Sequence, residues 1–167
     1  MITEKEAKKR LKILLEKVER EKHPSYPEHL TIATKKYNVS KANGLTQAVI
    51  AIVKAYGGQA ERISSMGRMI DNRKEYVDVV GFRRTVGSIG YIPGTGTKGT
   101  ADIHASIPLN GSNGFAVSVK IEIKIKDKQS EYQKEYQKTI ENSGGIYLII
   151  HSIQEFFNWC DQFVKPM

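Results

Sequence analysis

The segment VSVKIEIKIK, residues 117–126, alternates strictly between apolar and polar side chains. An apolar residue at every second position is the period of a β-strand that buries one face. The opposite face carries a serine, three lysines and a single acid, Glu122. Glu122 and Lys124 lie two residues apart, so both point to this polar face. We therefore predict a long strand whose polar face presents a glutamate and a lysine side by side.

The composition of the whole chain is typical of a soluble globular protein with a basic surface. Its 167 residues are 40% hydrophobic and 26% charged, which suits one compact domain with a short appendage. The net charge of +8 favours a polyanionic partner, with nucleic acid first, although a protein that is merely basic and soluble is the alternative. We expect no membrane association and an intracellular, cytoplasmic location, because neither a membrane-spanning run nor a signal-peptide pattern is evident. A single cysteine, Cys160, excludes an intrachain disulfide and a cysteine zinc cluster.

The N-terminal part of the chain is predicted to differ from the rest. Apolar residues recur at helical spacing over residues 4–21, and residues 23–40 have the composition of a connector. A second helical pattern covers residues 45–56 and is ended by two glycines. We expect residues 1–42 to form an amphipathic helix with its connector, and residues 43–167 to form the functional domain.

Within the predicted domain the hydrophobic period alternates between strand and helix. Strands are predicted at 60–65, 101–108, 115–126 and 146–150, and helices at 129–142 and 153–163. Residues 76–82 are either another strand or part of an irregular excursion, and the glycine-rich residues 87–99 are predicted to be a loop. This order indicates an α/β fold with a mixed central sheet flanked by helices.

Two acids on neighbouring strands indicate a metal site. Asp102 lies on the strand that precedes the segment with Glu122, and a turn between these strands favours a hairpin. If the strands pair, both carboxylates come within reach of one divalent ion such as Mg²⁺, which binds carboxylate and carbonyl oxygens. The peptide carbonyl of Ile123 would lie beside this ion. Lys124 would stand next to the attacking water and neutralise charge on a phosphoryl transition state.

Three sequence segments carry a family resemblance. They are TKGTADI, KIEIKIKDKQSEYQ and GGIYLIIHS, and they occur in this order within residues 45–152. Together they resemble the PD-(D/E)xK nuclease superfamily, and within it the VRR-NUC group of small phage and bacterial nuclease domains. Some members of that group resemble Holliday-junction resolvases. The resemblance implies a restriction-endonuclease-like core, in which a mixed central sheet is flanked by helices.

The resemblance also assigns roles to particular residues. It implies that Asp102 and Glu122 hold Mg²⁺ or Mn²⁺ and that Lys124 is the catalytic lysine. Gln133 matches a glutamine that such domains often place on the following helix, although a helix capping box explains the same residue. Lys98 matches a basic residue just before the Asp motif.

This chain departs from the family pattern in two places. Thr100 and Ala101 replace the usual residue–proline pair ahead of the Asp, which alters only the start of the strand. The first core helix lacks the glutamate that family members commonly carry, and Asn43 or Gln47 sits near the expected place. A neutral amide coordinates a cation more weakly than a carboxylate does, which bears on full activity and on the number of metals bound.

Basic residues around the predicted site are candidate phosphate contacts. They are Arg83 and Arg84 ahead of the glycine-rich loop, Lys98 within it, and Arg62 and Arg68 near the first strand of the domain. For each of them, an exposed solubilising charge is the alternative. The stretch GTGTKG, residues 94–99, has dinucleotide-type spacing but follows a loop and precedes a strand, so no nucleotide cofactor is expected.

These observations predict a Mg²⁺- or Mn²⁺-dependent DNA endonuclease. The resemblance implies selectivity for DNA structure, such as branched DNA or a Holliday junction. Cleavage of a four-way junction would call for a homodimer with two sites related by a two-fold axis. Two alternatives are a non-catalytic nucleic-acid-binding module on the same fold and an interaction protein whose basic charge only confers solubility.

Overall fold

The computed structural model describes residues 2–64, 67–94, 96–112 and 115–164. Within these ranges the chain forms four helices and eight strands. The helices are α1 (Glu4–Lys22), α2 (Ala42–Ala55), α3 (Glu131–Asn142) and α4 (Ile153–Phe163). The strands are β1 (Gln59–Arg62), β2 (Arg68–Asp71), β3 (Lys74–Val77), β4 (Arg83–Val86), β5 (Ile89–Ile92), β6 (Ile103–Pro108), β7 (Ala116–Ile123) and β8 (Ile146–Ile150). None of the described helices combines the length and the apolarity needed to cross a bilayer.

The central sheet has four strands in the order β1-β6-β7-β8. Strand β6 is antiparallel to both β1 and β7, while β8 is parallel to β7 and is reached through α3. The structure therefore confirms the predicted α/β architecture with a mixed sheet and flanking helices. The segment that opened the sequence analysis is the interior strand β7, although the strand ends at Ile123 and Lys124 follows it.

One face of the sheet is covered by apolar residues from the helices. Alternate residues of β6 and β7, such as Ile103 and Ile121, are fully buried against this face. Helix α2 contributes Leu45 and Ile52 to the same core, and α4 contributes Phe156. The strict alternation in β6 and β7 thus directs their remaining side chains to the opposite face of the sheet.

The N-terminal helix packs onto the same core. Ala7 and Leu11 of α1 are buried among the core residues, and α1 contacts both α2 and α4. Arg10 also donates a bidentate pair of hydrogen bonds, of 2.8 and 2.6 Å, to the carboxylate of Asp161 on α4. The helix that we expected outside the functional domain is therefore attached to it by both apolar and ionic contacts.

Residues 68–92 form a long two-stranded antiparallel ribbon, which we call the β-arm. Strand β2 pairs with β5, and β3 pairs with β4, in one continuous register. The backbone N–H of Asn72 donates a hydrogen bond of 3.2 Å to the backbone carbonyl of Ser88 and links the two strand pairs. A short turn at residues 79–81 closes the ribbon, where Gly81 has a φ of 89° that suits glycine.

The β-arm corrects one prediction. We predicted a loop over residues 87–99, but Ile89–Ile92 is strand β5. The error arose because the glycine content of this stretch indicated a loop, whereas its strand structure depends on pairing with β2, about twenty residues earlier in the chain. The predicted strand or excursion at residues 76–82 contains the end of β3 and the turn of the arm.

Candidate active site

The sheet brings the two predicted acids together. Ile103 pairs with Ile121 in the β6–β7 register, and continuing that register by one residue places Asp102 opposite Glu122. Directly opposed residues on antiparallel strands have Cβ atoms about 4.5–5.5 Å apart. The Oδ2 atom of Asp102 accepts a hydrogen bond of 2.9 Å from the backbone N–H of Ile123. Asp102 is thus held against the end of β7, beside Glu122.

Glu122 is a buried acid with an incomplete set of partners. The residue is 3% exposed. Its Oε1 atom accepts a hydrogen bond from Nε2 of Gln133, and Nζ of Lys124 lies 3.1 Å from the same oxygen. Its Oε2 atom is buried and has no hydrogen-bond partner among the residues that the structure describes. An unpaired oxygen on a buried carboxylate is costly, so this position favours an additional positive group.

The pKa of Glu122 also indicates that an additional positive group is favoured at this position. Burial raises the pKa of Glu122 above its ordinary value, and the negative charge of Asp102 raises it further. The hydrogen bond and the charge of Lys124 oppose both effects without cancelling them. A cation is stabilising beside a buried acid whose pKa is raised by burial and by a neighbouring carboxylate.

Gln133 makes two hydrogen bonds with different purposes. Its Oε1 atom accepts from the backbone N–H of Ser130 at 2.9 Å, which completes the capping box of α3. Its Nε2 atom donates to Glu122. A role of Gln133 in the helix cap and a role at the site are therefore compatible, because the oxygen of its side-chain amide makes one contact and the nitrogen makes the other.

Asp102 borders an open cleft of about 820 Å³, and Gln133, which donates to Glu122, lies in the wall of the same cleft. Among the predicted site residues, Asp102, Gln133, Lys98 and Arg62 line it. The Nζ atom of Lys98 lies 5.5 Å from the centre of the Tyr132 ring on α3, so the lysine lies over an aromatic face at the cleft wall. The cleft is therefore basic on its walls and acidic at one point.

Asn43 also reaches this region from the start of α2. Its Oδ1 atom accepts a hydrogen bond of 2.7 Å from Nη1 of Arg62. The residue near the expected place of the family's helix acid is therefore a neutral amide that binds a cleft-lining arginine. This contact keeps Arg62 at the edge of the cleft.

The three remaining predicted phosphate contacts lie on the β-arm, not in the cleft. Arg68 starts β2, while Arg83 and Arg84 lie on β4 close to the turn of the arm. Arg84 forms an ion pair of 2.6 Å with Asp78. Our expectation that Arg83 and Arg84 flank a loop at the mouth of the site is therefore wrong in its geometry, because strand pairing carries them along the ribbon.

Sequence reasoning missed one buried residue of the polar sheet face. Tyr147 of β8 is 7% exposed, and within the described part of the chain its hydroxyl has no hydrogen-bond partner. Its ring packs edge-on against Tyr136 of α3, with 6.3 Å between ring centres. Burial and the charge of Glu122 raise the pKa of the Tyr147 hydroxyl, so it stays protonated beside the site. The apolar run around Tyr147 indicated only a buried strand.

The residues present fit a hard divalent cation. Such ions as Mg²⁺ accept oxygen ligands and keep several waters, so one or two protein carboxylates suffice. Asp102 and Glu122 supply these carboxylates, and Oε2 of Glu122 is the oxygen that lacks a partner. No group of three or more His, Cys, Asp or Glu residues in the described part of the chain is arranged to hold a metal, so the donor set is the minimal one.

Comparisons of this chain with family models, with curated proteins and with solved structures give no match. The resemblance to VRR-NUC nucleases therefore stays a prediction that depends on the motif residues. The geometry of Asp102, Glu122, Lys124 and Gln133 stands independently of it.

The raised pKa of Glu122 predicts a pH-dependent penalty on folding. An acid whose pKa is higher in the folded state contributes stability below its unfolded pKa, and that contribution is lost as the pH rises through the folded pKa. At neutral pH and without divalent metal, we expect Glu122→Gln to raise the free energy of unfolding by about 1–3 kcal/mol, because it removes a buried, incompletely paired charge. Urea denaturation in EDTA measures this difference.

The same measurement across pH provides the control. We expect the advantage of Glu122→Gln to shrink as the pH is lowered from above the raised pKa towards the ordinary value of 4.5. Saturating Mg²⁺ should stabilise the wild type and leave the variant unchanged, since a ligand that binds only the folded state adds stability. A variant less stable than the wild type at neutral pH would show that the Lys124–Glu122 ion pair dominates.

The two hydrogen bonds of Gln133 can be separated by substitution. Gln133→Glu keeps the acceptor for the Ser130 amide but replaces the donor to Glu122 with a second negative charge. Ser130→Ala removes half of the capping box and leaves the bond to Glu122. We expect Ser130→Ala to lower stability by about 1 kcal/mol with little effect on metal binding. Gln133→Glu should change the affinity for Mn²⁺, because an added carboxylate disturbs the charge balance of the site.

Isothermal titration with Mn²⁺ and urea denaturation measure these two effects. If both variants changed only the stability and left Mn²⁺ binding unchanged, Gln133 would serve solely as a helix cap.

Proposed function

We propose that this protein is a metal-dependent DNA endonuclease built on a restriction-endonuclease-like core. The observation that carries the proposal is the convergence of Asp102, Glu122 and Lys124 beside a basic cleft that Asp102 lines. There the buried Oε2 atom of Glu122 has no hydrogen-bond partner among the described residues. The reaction is hydrolysis of a phosphodiester bond. Water forms a bond to phosphorus, the bond from phosphorus to the 3′-oxygen breaks, and the products are a 3′-hydroxyl and a 5′-phosphate.

Each residue of the site has a distinct part in this proposal. Asp102, Glu122 and the Ile123 carbonyl would hold Mg²⁺ or Mn²⁺, which as a Lewis acid supplies charge stabilisation at the phosphoryl oxygens and a more acidic water. The Nζ atom of Lys124 is held 3.1 Å from Oε1 of Glu122. In this position its charge favours the deprotonated form of the attacking water and the negative charge that develops on the phosphoryl group. Gln133 orients Glu122 through its Nε2 donor.

The walls of the cleft support DNA as the substrate. Lys98 and Arg62 line it together with Asp102, and the chain as a whole carries a charge of +8. Phosphate groups bound by such residues release counterions, which makes the affinity fall as salt rises. Within this proposal the substrate is structured DNA such as a branched junction, and a homodimer supplies the two cuts that a four-way junction needs.

A non-catalytic nucleic-acid-binding module is the second candidate. It is favoured by Asn43, a neutral amide near the place where a third acid is expected, because its Oδ1 atom already accepts a hydrogen bond from Arg62. A site with two carboxylates and an amide binds metal more weakly than one with three carboxylates. In that case the basic cleft would retain DNA without cutting it.

One assay separates these functions. Purified protein is incubated with linear, nicked, flapped and four-way-junction DNA in EDTA, in Mg²⁺ and in Mn²⁺, at several salt concentrations. Cleavage that requires a divalent metal and leaves 5′-phosphate ends supports the endonuclease. Salt-sensitive binding without cleavage at any metal concentration favours the binding module. Absence of salt-sensitive binding would exclude both and leave an interaction protein.

A further inference from the structure

The β-arm exposes apolar side chains at its tip. None of the eight residues of β3 and β4 is buried. In the turn, Val79 is fully exposed, Val80 is 73% exposed, and Phe82 next to them is 66% exposed. A two-stranded ribbon without a core is marginally stable alone in water. Contiguous exposed apolar groups on such an element mark a contact with another molecule.

The tip is braced by its own hydrogen bonds. The Oδ1 atom of Asp78 accepts from the amides of Val80 and Phe82 at 3.0 and 2.9 Å. The Oδ2 atom of the same side chain accepts from Nε of Arg84 at 2.6 Å. Asp78 therefore holds the turn in one shape with Val79 and Val80 outermost. This arrangement presents two aliphatic side chains on a fixed backbone, which reduces the entropy lost on insertion into a partner.

The two faces of the β-arm differ in charge. In each strand pair the side chains alternate and even-numbered residues pair with even-numbered ones. Within each pair the even-numbered residues therefore share one face, which we call the even face, and the odd-numbered residues share the other. The even face carries cations and aromatic rings with one acid, Asp78, which is already paired: its members include Arg68, Lys74, Tyr76, Phe82 and Arg84. The odd face carries two acids and two arginines: Asp71, Glu75, Arg73 and Arg83.

The charge of the even face favours one kind of partner. Cations interleaved with aromatic rings suit a phosphate backbone with exposed base faces. A second copy of this face would oppose cations with cations, so self-association through it is disfavoured. The major groove of duplex DNA is wide enough for a two-stranded ribbon.

Two residues that line the cleft flank the β-arm in the chain. Ser64 and Lys98 both line the cleft, and the arm lies between them in the chain. Arg68 follows Ser64 by four residues, so the base of the arm is within about 14 Å of the cleft wall. From Arg68 to Val79 the ribbon extends for about 36 Å, close to one turn of duplex DNA. The base of the arm therefore lies close to DNA that is bound in the cleft.

We propose that the β-arm is a second DNA-binding element that lies along DNA with its even face and inserts Val79 and Val80 between bases at an unstacked step. Apolar side chains at the tips of DNA-binding elements separate base steps in this way, at a cost that is lowest where stacking is already broken. The arm would thereby direct the protein to branched or distorted DNA. This inference rests on the proposed function, because it takes DNA as the substrate of the adjacent cleft.

The decisive experiment removes the apolar tip and keeps the ribbon. Wild-type protein, Val79→Ser/Val80→Ser and the control Met69→Ser are compared in EDTA, where no metal-dependent cleavage takes place. Met69 is 67% exposed, like the tip residues, but lies at the base of the arm. The probes are a four-way junction with 2-aminopurine at the branch and a fully paired duplex of the same length.

We expect the wild type to raise the 2-aminopurine fluorescence, because insertion unstacks the labelled base. The double variant should lose this rise in fluorescence. It should also bind the junction about tenfold more weakly, because it loses the equivalent of one contact that stacks on a base. Its affinity for the duplex should stay within about twofold, since phosphate contacts dominate there. Met69→Ser should behave as the wild type does. Equal fluorescence and equal junction affinity in all three proteins would overturn the proposal.

A matched pair of charge variants tests the orientation of the arm. Lys74→Gln and Arg83→Gln remove one positive charge each, from the even face and the odd face respectively. No ion pair involves either residue among the described contacts. We expect Lys74→Gln to weaken junction binding at least about threefold and to lower the salt dependence by one phosphate contact, with a smaller effect of Arg83→Gln. The reverse order would contradict the assigned face.

Failure of this inference and failure of the endonuclease are distinguishable. Unchanged junction selectivity in the tip variant, together with metal-dependent cleavage, overturns the role of the arm and leaves the nuclease. Tip-dependent junction binding without cleavage supports the arm and overturns the nuclease. Sedimentation that shows a dimer for the wild type and a monomer for the tip variant would assign the arm to self-association and overturn DNA insertion.

Discussion

Glu122→Gln is expected to reduce metal-dependent DNA cleavage by at least about 10²- to 10³-fold, the loss typical of removing one electrostatic stabiliser from an active site. The substitution keeps the volume and the hydrogen bond from Gln133, but it removes the charge that Oε2 offers to a cation. Single-turnover cleavage of a labelled junction at saturating protein measures the chemical step. DNA affinity in EDTA should be equal to or higher than that of the wild type, because a negative charge is removed beside bound phosphate.

Glu61→Gln is the matched control for this variant. Glu61 lies on β1 opposite His104, in the same sheet as Glu122, but it is exposed and outside the acid pair. The Glu61→Gln variant should cleave DNA at a rate within about twofold of that of the wild type, because surface substitutions remote from the chemistry generally have small effects. The stability measurement excludes unfolding as the cause, since Glu122→Gln is expected to be the more stable protein. Full activity of Glu122→Gln in Mn²⁺ would remove the basis of the proposed mechanism.

Lys124→Met is expected to slow cleavage by about 10²-fold while metal and DNA still bind. The side chain of Lys124 is only 14% exposed, and its ammonium is held against Glu122, so its charge acts locally. Methionine fills a similar volume without charge. Mn²⁺ titration should show retained binding, because the lysine repels the cation and is not a ligand. The rate at saturating DNA should fall even when the affinity for DNA changes by less than about threefold.

Lys126→Met controls for the lost charge. Lys126 lies two residues further along the chain and is exposed. Both variants lower the net charge by one, so both should weaken DNA binding to a similar small extent. Only Lys124→Met should lower the rate of the bound complex. Equal losses of rate in the two variants would show that Lys124 contributes long-range charge and has no place at the reacting phosphate.

The strand with the candidate acid was predictable because its pattern is local. In β7 a side chain alternates between two faces at every residue, so the buried isoleucines alone determine that Glu122 points to the other face. The capping box of α3 is equally local, since Ser130 and Gln133 are three residues apart. The approach of Asp102 to Glu122 required one further step, the hairpin register, which the short turn favours.

Other features were not predictable from these patterns. The β-arm was missed because β2 and β5 stabilise each other across a separation of about twenty residues, and neither has a strong strand pattern by itself. The signal that could have indicated the β-arm was the alternating pattern of side chains on either side of the turn at residues 79–81. The second hydrogen bond of Gln133 and the burial of Glu122 depend on where α3 lies against the sheet.

The amino-acid sequence by itself determined the order of the elements around the central sheet, the buried face of that sheet and the basic character of the chain, because each follows from local periodicity or from composition. Only the tertiary structure decided that Glu122 has an unpartnered oxygen, that Gln133 joins a helix cap to the site, and that three predicted phosphate contacts lie on a projecting arm. The physical reason is that burial and strand pairing are set by distant segments of the chain, whose contacts no local pattern records.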